Sequence, residues 1–320
     1  MYDVVAIGEL LIDFTCRSAD ENGYPVMAAH PGGAPANFLA ALAKFGARTA
    51  MLGKVGSDSF GRLLIKTLGN AGIDTRGMVV ADDVFTTLAF VTLDSSGDRE
   101  FSFARKPGAD TQLHCEELDL NVIAAAKVFH FGSLSLTNEP SRSAAYKAVE
   151  YAKAMNKLIT FDPNFRLPLW SGAEEAKQQI LWGLEHADIV KLSDEEAGFL
   201  FGLPVKEAAE HIINSFGVKL VFISCGSKGC YYKNAQSGGF VTALKNISVR
   251  DTTGAGDIFG GSALYRLLQT GKAPDRLSDE ELRNITAFAC AAAGLSTTKA
   301  GGISSVPDRE DVLCALKTLV

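Results

Sequence analysis

The sequence predicts an α/β fold, a central, mostly parallel sheet with helices packed on both faces. Three observations predict it. Short apolar runs alternate with segments of helical periodicity along most of the chain. The strand-like runs are continuously apolar, as strands buried on both faces are. The length also fits: 320 residues, 47% hydrophobic and 21% charged, suit one large α/β unit over 1–320 with a sizeable core.

The elements follow in order. VVAIGELLI (4–12) reads as a strand, and with no basic residue ahead of it the N-terminus is a buried first strand, not a signal peptide. ANFLAALAKFG (36–46) has helical spacing and stops at Gly46. TAMLGKVG (49–56) returns to a strand and SFGRLLIKTLGNAG (59–72) to a helix. AKVFHFGS (126–133), KLITFDPN (157–164), ADIVKLS (187–193) and KLVFISCG (219–226) are further strands, with helices such as SRSAAYKAVEYAKAMN (141–156) between them. One region breaks the rhythm. FTTLAFVTLDSSGDREFSFARKPGAD (85–110) holds two strand-like runs around DSSGD, an antiparallel hairpin with Phe101 and Phe103 on one face. It is a sheet extension or a lid, and DFTCRSADENGYPVMAAH (13–30) can supply neighbouring strands.

Composition excludes several classes. The 31 basic and 37 acidic residues give a net charge of −6 with no Lys/Arg block, so nucleic acid is not an expected partner. No apolar run reaches the roughly 18 residues of a membrane span. The six cysteines are scattered without zinc spacing, so free thiols in a reducing, cytoplasmic compartment are expected.

Ligands of a doubly wound sheet sit beyond the carboxyl ends of its strands. Asp13, the turn Asp162-Pro163-Asn164-Phe165-Arg166 and the turn Ser224-Cys225-Gly226-Ser227-Lys228-Gly229 should therefore converge on one edge. Taken singly, Asp13 can cap a turn and Asp-Pro-Asn is an ordinary turn. DTTGAGDIF (251–259) runs into a helix whose first amides are unpaired. Gly254, Ala255 and Gly256 let an anion approach that backbone, and Asp257 can take a proton from an attacking hydroxyl. A tight loop followed by a helix-end acid has the same spacing, so both readings stand on spacing alone. In PGGAPANFLAALAKFG (31–46), Gly32 and Gly33 let a ligand lie on backbone, and Asn37 sits one turn along, able to donate and accept. A P-loop motif is absent, and no GxGxxG follows the first strand, which argues against a dinucleotide site.

GGAPAN and LGKVGSDSFG near one end, with DTTGAGDIFGG near the other, resemble the ribokinase-like (PfkB-type) sugar kinase family over nearly the whole chain. The resemblance implies a parallel-sheet core with a small β-lid, here at about 13–30 and 85–107, and transfer of the ATP γ-phosphate to a sugar hydroxyl with Mg²⁺, commonly helped by K⁺. It makes Asp257 the base, with residues 254–256 as the anion hole. Asp13, Gly32, Gly33, Asn37, Phe101, Phe103, Arg105 and Arg166 fall at the sugar. Lys191, Ser193, Ser224, Gly226, Ser227 and Gly229 fall at ATP, together with Gly254 and Gly256. Asp251, Thr253, Gly302 and Ser305 fall in a monovalent-cation loop. Where many members read Asn-x-x-Glu for Mg²⁺-phosphate contacts, this chain has Ser193-Asp194-Glu195-Glu196, leaving Glu196 as the better Mg²⁺ contact.

REFSFARKPGADTQL (99–113) resembles the fructokinase lid segment, which implies D-fructose as acceptor. 2-Keto-3-deoxygluconate, ribose and adenosine kinases share the scaffold. Either Arg105 or Arg166 can meet a ketoacid carboxylate, and Phe101 and Phe103 can line a base pocket. A non-catalytic sugar-binding regulator is the rival of another class, and the complete anion loop with Asp257 argues against it. The exposed hairpin can pair with a second copy, so a homodimer through the lid is expected. The helix N-terminus favours the ionised form of Asp257, so it is expected to be deprotonated near neutral pH.

Overall fold

A computed structural model of the chain describes residues 1–93 and 99–317. Its elements run β1 (Tyr2–Ile7), β2 (Leu11–Ala19), β3 (Pro25–Gly32), α1 (Ala34–Lys44), β4 (Thr49–Gly56), α2 (Ser59–Asn70), β5 (Ile73–Ala81), β6 (Leu88–Leu93) and β7 (Arg99–Ala104). Then come α3 (Leu120–Ala124), β8 (Ala126–Gly132), α4 (Ser141–Ala154), β9 (Leu158–Asp162), α5 (Ala173–His186), β10 (Ile189–Ser193), α6 (Asp194–Phe201), α7 (Val205–Phe216) and β11 (Leu220–Ser224). The rest are β12 (Gly229–Asn234), β13 (Gly238–Thr242), α8 (Ala255–Thr270), α9 (Asp279–Ser296) and α10 (Arg309–Leu316).

Among the described residues these strands form a nine-stranded sheet ordered β13-β12-β11-β10-β9-β8-β1-β4-β5 and a four-stranded sheet ordered β3-β2-β6-β7. In the large sheet only the β11/β12 and β12/β13 pairs are antiparallel. Strand alternation splits its core in two. Val4 and Ala6 face the side covered by α1, α8 and α9, while Val5 and Ile7 face the side covered by α4, α5 and α7. Phe129, Phe131 and Phe161, at most 1% exposed, anchor the second side. Full burial of such a side chain stabilises by about 1.5–3 kcal/mol.

The expected α/β class is therefore observed, with one correction that matters for function. The run 4–12 is not one strand. It breaks at Gly8-Glu9-Leu10, so β1 joins the large sheet and β2 the small one, and Asp13 lies within β2 rather than at a strand end. Both halves are apolar because both are buried, and no proline marks the break. The hairpin expected over 85–110 is β6/β7, and it belongs to the separate sheet rather than extending the large one. The DSSGD turn (94–98) lies outside the described residues. The second sheet turns Leu11, Asp13, Val91 and Phe103 to one side. On its other side Phe14 stacks on Phe90 at 5.3 Å and meets Phe60 of α2 at 5.6 Å. Six described cysteines are free thiols, and no described helix is long and apolar enough to cross a membrane.

Candidate active site

A cleft of about 470 Å³ opens between the small sheet and the carboxyl edge of the large one. Asp13, Gly33, Asn37, Phe103, Arg166, Lys191, Ser193, Glu196, Ser224, Gly226, Thr253, Gly254, Gly256 and Asp257 all line it, so segments far apart in sequence do converge as expected. Gly32 lies just behind, where a side chain would meet Asp13 Oδ2 at 2.3 Å.

The floor of the cleft is the start of α8. Its N-cap, Gly254, has φ +76, and a β-carbon there would come within 2.9 Å of Gly302 and 3.1 Å of Asn37 Nδ2. This left-handed, crowded turn suits glycine. The Ala255 amide donates to the Thr252 carbonyl at 3.3 Å, which corrects its expected place in the anion hole, while the start of the helix at Gly256 and Asp257 lines the cleft, the geometry of an anion site. Asp257 sits in that first turn and accepts a 2.9 Å bond from Asn37 Nδ2. Burial, helped by the charge of Asp162, raises its pKa to about 7 against the pull of Asn37, Lys191 and Arg166. The ionised state expected from the helix N-terminus is thus corrected. Desolvation outweighs the dipole, and the carboxyl is poised between its two forms at neutral pH.

Asn37 is 3% exposed, and its Oδ1 has no hydrogen-bond partner. A Gly302 side chain would strike that oxygen at 2.1 Å, so the amide is wedged between α8 and the 299–305 loop. Its bond to Asp257 favours the carboxylate form. Asn37→Leu is therefore expected to raise the pKa of Asp257 and move the acid limb of the pH–rate profile to higher pH. Activity should fall more at pH 6.5 than at pH 8.5, and an unmoved limb would show that Asn37 does not tune the carboxylate.

Lys191 reaches up from β10. Its ammonium pairs with Asp162 at 2.9 Å, and a β-carbon on Gly256 would lie 2.9 Å from it. Burial alone would lower its pKa, but the charges of Asp162, Glu196 and Asp257 hold it raised, so it is a fixed cation beside the α8 amides. Asp13 is raised to about 6 by burial, with Arg166 acting the other way. Glu9 also lines the cleft and accepts from the Ala34 amide at 2.8 Å, and burial lifts it to about 7. The sequence reading missed Glu9, which looked like part of an unbroken strand. It also missed Asp162 as the partner of Lys191.

Three expected site residues have other partners. Arg105 does not face the cleft: its guanidinium pairs with Asp110 at 2.7 Å and donates to Thr137 Oγ1 at 2.8 Å and the Leu134 carbonyl at 2.9 Å. It is corrected from a sugar contact to a buried tie between β7 and the loop after β8. Ser193 and Glu196 form a capping box on α6. The Glu196 carboxylate accepts from the Ser193 and Phe165 amides, each at 2.7 Å. Ser-x-x-Glu is the signature of such a box. No group of three His, Cys, Asp or Glu able to hold a metal occurs among the described residues. The side chain of Phe101 lies outside the described residues.

Asp251 fastens two loops: Oδ1 accepts from the amide and hydroxyl of Thr253 at 2.9 and 2.7 Å, and Oδ2 from the Gly301 amide at 3.0 Å. The Gly302 carbonyl accepts from both the hydroxyl and the amide of Ser305, at 2.8 and 3.0 Å, so these two act as loop staples rather than open ligands. Next to the cleft lies a cavity of about 680 Å³, sharing Ser224, Gly226, Thr252 and Gly256 with it and lined also by Ser227, Gly229 and Ala255. Its other walls come from 243–249, α8 and α9, a set no local motif announces.

A polyol-sized pocket rich in carboxylates, meeting a second cavity across a helix start, is the layout of an enzyme that moves a phosphoryl group between a nucleotide and a hydroxyl. Comparison with known proteins agrees. Residues 1–309 match the model of the pfkB family carbohydrate kinases. The chain is 42% identical over 321 residues to probable fructokinase-4 of Arabidopsis thaliana, covering 98% of this chain and 96% of that one. A putative ribokinase II from E. coli, solved with ATP and Mg²⁺, superposes with a TM-score of 0.87 at 28% identity, covering 99% of this chain and 100% of that one. A double-mutant fructokinase from Vibrio cholerae O395, solved with fructose, ADP and a potassium ion, gives 0.86 at 30% identity, covering 98% of each chain. This chain belongs to the pfkB family of carbohydrate kinases. Its large sheet and small second sheet make up a ribokinase-like fold, as the superposition on the E. coli structure shows.

Proposed function

We propose that the protein is an ATP-dependent fructokinase. The observation that carries the reading is Asp257 in the first turn of α8, raised to a pKa of about 7 and lining the cleft next to Gly256, which both cavities share. A hydroxyl oxygen of fructose attacks the γ-phosphorus, its proton passes to Asp257, and the bond to the bridging oxygen breaks to release ADP. The α8 amides and Lys191 offset the negative charge on the transferring group. Mg²⁺ suits this cleft as a companion of the ATP phosphates, since Mg²⁺ is commonly held by one or two carboxylates plus phosphate oxygens and Asp194, Glu195 and Glu196 line it. Phe103 and Asp13 bring the small sheet over the sugar.

The choice of fructose rests on the relatives, and the cleft supports it against an acidic sugar. With Arg105 committed to Asp110, a substrate carboxylate would meet Glu9, Asp13 and Asp257 with only Arg166 and Lys191 as cations, the latter already paired with Asp162. Fructose is expected to show the highest kcat/KM in a panel with ribose, adenosine and 2-keto-3-deoxygluconate. A preference for any of the others would overturn this choice.

A potassium ion beside Asp251 and the Thr253 carbonyl is part of the proposal, because the loop Asp251 fastens leads directly into the α8 amides. Activity is expected to rise when K⁺ replaces a bulky organic cation, and Asp251→Ala to lose that response. Equal rates in both salts would remove the ion from the scheme. A homodimer through β3 or β7, the outer strands of the small sheet, completes the reading, since an edge strand can accept another chain.

A further inference from the structure

If Lys191 offsets charge on the phosphoryl group in transit, as the proposed function has it, something must hold its long, flexible side chain in place. We propose that Asp162 is the positioning residue of the transfer step: it meets neither substrate and acts by fixing Lys191. Asp162 ends β9, and Lys191 stands beside it on β10, since Phe161 and Val190 are paired one residue earlier. The two side chains therefore leave the same face of the sheet. The ammonium meets Asp162 Oδ2 at 2.9 Å. Lys191 lines the cleft, while Asp162 lies behind it against a closed pocket of about 20 Å³.

The anchor is itself fixed. Asp162 is 7% exposed, and its Oδ1 accepts from the Asn164 amide at 3.2 Å. Burial works against both charges of the pair, and each partner offsets that for the other. The other carboxylates near Lys191 are bonded elsewhere. Glu196 accepts from the Ser193 and Phe165 amides, and Asp257 accepts from Asn37. Behind the pair, His130 Nδ1 and the Thr160 hydroxyl bond to each other at 2.9 Å. Burial and the charge of Lys191 lower the His130 pKa to about 3, so a neutral imidazole stands there. Among the described residues, Asp162 is the only ion-pair partner of Lys191.

Without that carboxylate, the ammonium is drawn towards Glu196 or Asp257, away from the phosphoryl or onto the base. Misplacement by about 1 Å can cost about 10²-fold in rate. Asp162→Asn keeps the shape of the side chain and an oxygen for the Asn164 amide, and removes only the charge that holds Lys191.

The test is a double-mutant cycle of Asp162→Asn and Lys191→Met. It is read as kcat on the pH-independent plateau of each profile, with ATP, Mg²⁺ and saturating fructose, and as KM for fructose. Lys191→Met is expected to lose about 10²–10³-fold in kcat, as removal of one stabilising donor does. Asp162→Asn alone should lose about 10²-fold with KM for fructose unchanged. Added to Lys191→Met, it should cost less than about twofold more, because nothing is left for it to hold. Losses that multiply show Asp162 acting on its own and overturn the inference, as does an Asp162→Asn enzyme with wild-type kcat. The kinase reading survives either result, whereas no turnover in the wild-type protein removes both. Asp162→Asn leaves an ammonium buried without its partner and can be too unstable to assay. Lys191→Met against the double variant then decides: equal kcat is expected, and a further large loss overturns the inference.

Discussion

Asp257→Asn is expected to abolish most turnover while leaving the fold and both binding sites intact. The amide side chain has the shape of the carboxyl and still offers Asn37 Nδ2 an oxygen at the observed 2.9 Å. It cannot take a proton. General-base contributions run to about 10²–10⁴-fold, and the loss should appear in kcat with little change in KM for either substrate. The pH profile gives an independent reading of the same residue. With a pKa of about 7, the base is protonated and idle below neutrality, so the wild-type rate should climb through an acid limb near pH 7 and level off above it. A variant keeping more than about a tenth of wild-type kcat would reduce Asp257 to a helix-end acid, because even the weaker base contribution is larger than that.

Arg105→Leu is expected to act on stability rather than on substrate. The side chains of Arg105 and Asp110 are only 3% and 2% exposed, so solvent does little to screen the pair. Removing the guanidinium leaves Asp110 buried with its charge uncompensated, and breaking a buried pair in this way costs about 3–5 kcal/mol. The loss should be read as a lower urea midpoint with KM for fructose near the wild-type value. Were Arg105 a sugar contact instead, KM would rise with the midpoint unmoved.

The contrast between Arg105 and Arg166 shows where the sequence was legible. Both lie shortly after a strand and within two residues of a phenylalanine, and both were readable as anion contacts. Only the packed structure separates them, because it brings Thr137 and the Leu134 carbonyl, from the loop after β8, onto Arg105 beside Asp110. The strands and helices of the large sheet were legible, since burial on both faces imposes a continuous apolar run and a helix imposes its period. The glycines before α8 stood out, but their spacing alone left a plain tight loop as open as an anion site, and only the family resemblance favoured the latter. Of the cavity beside the cleft, only the Ser224–Gly229 turn was legible; the rest of its walls are ordinary apolar residues whose sole distinction is to meet there. Ser193-Glu196 was visible as a motif, but its capping role was not, since capping and metal contact both ask for a carboxylate three residues on. The state of Asp257 was misjudged because a helix terminus is a local feature whereas desolvation belongs to the whole cleft.

The break at Gly8-Glu9-Leu10 divides one apolar run between two sheets. As a result, the proposed acceptor pocket is assembled from two pieces of architecture joined by a short seam. Asp13 and Phe103 ride on one piece, while Asn37 and Arg166 stand with Lys191 and Asp257 on the other. A change confined to the small sheet can therefore reshape the mouth over the sugar without touching the groups proposed to move the phosphoryl.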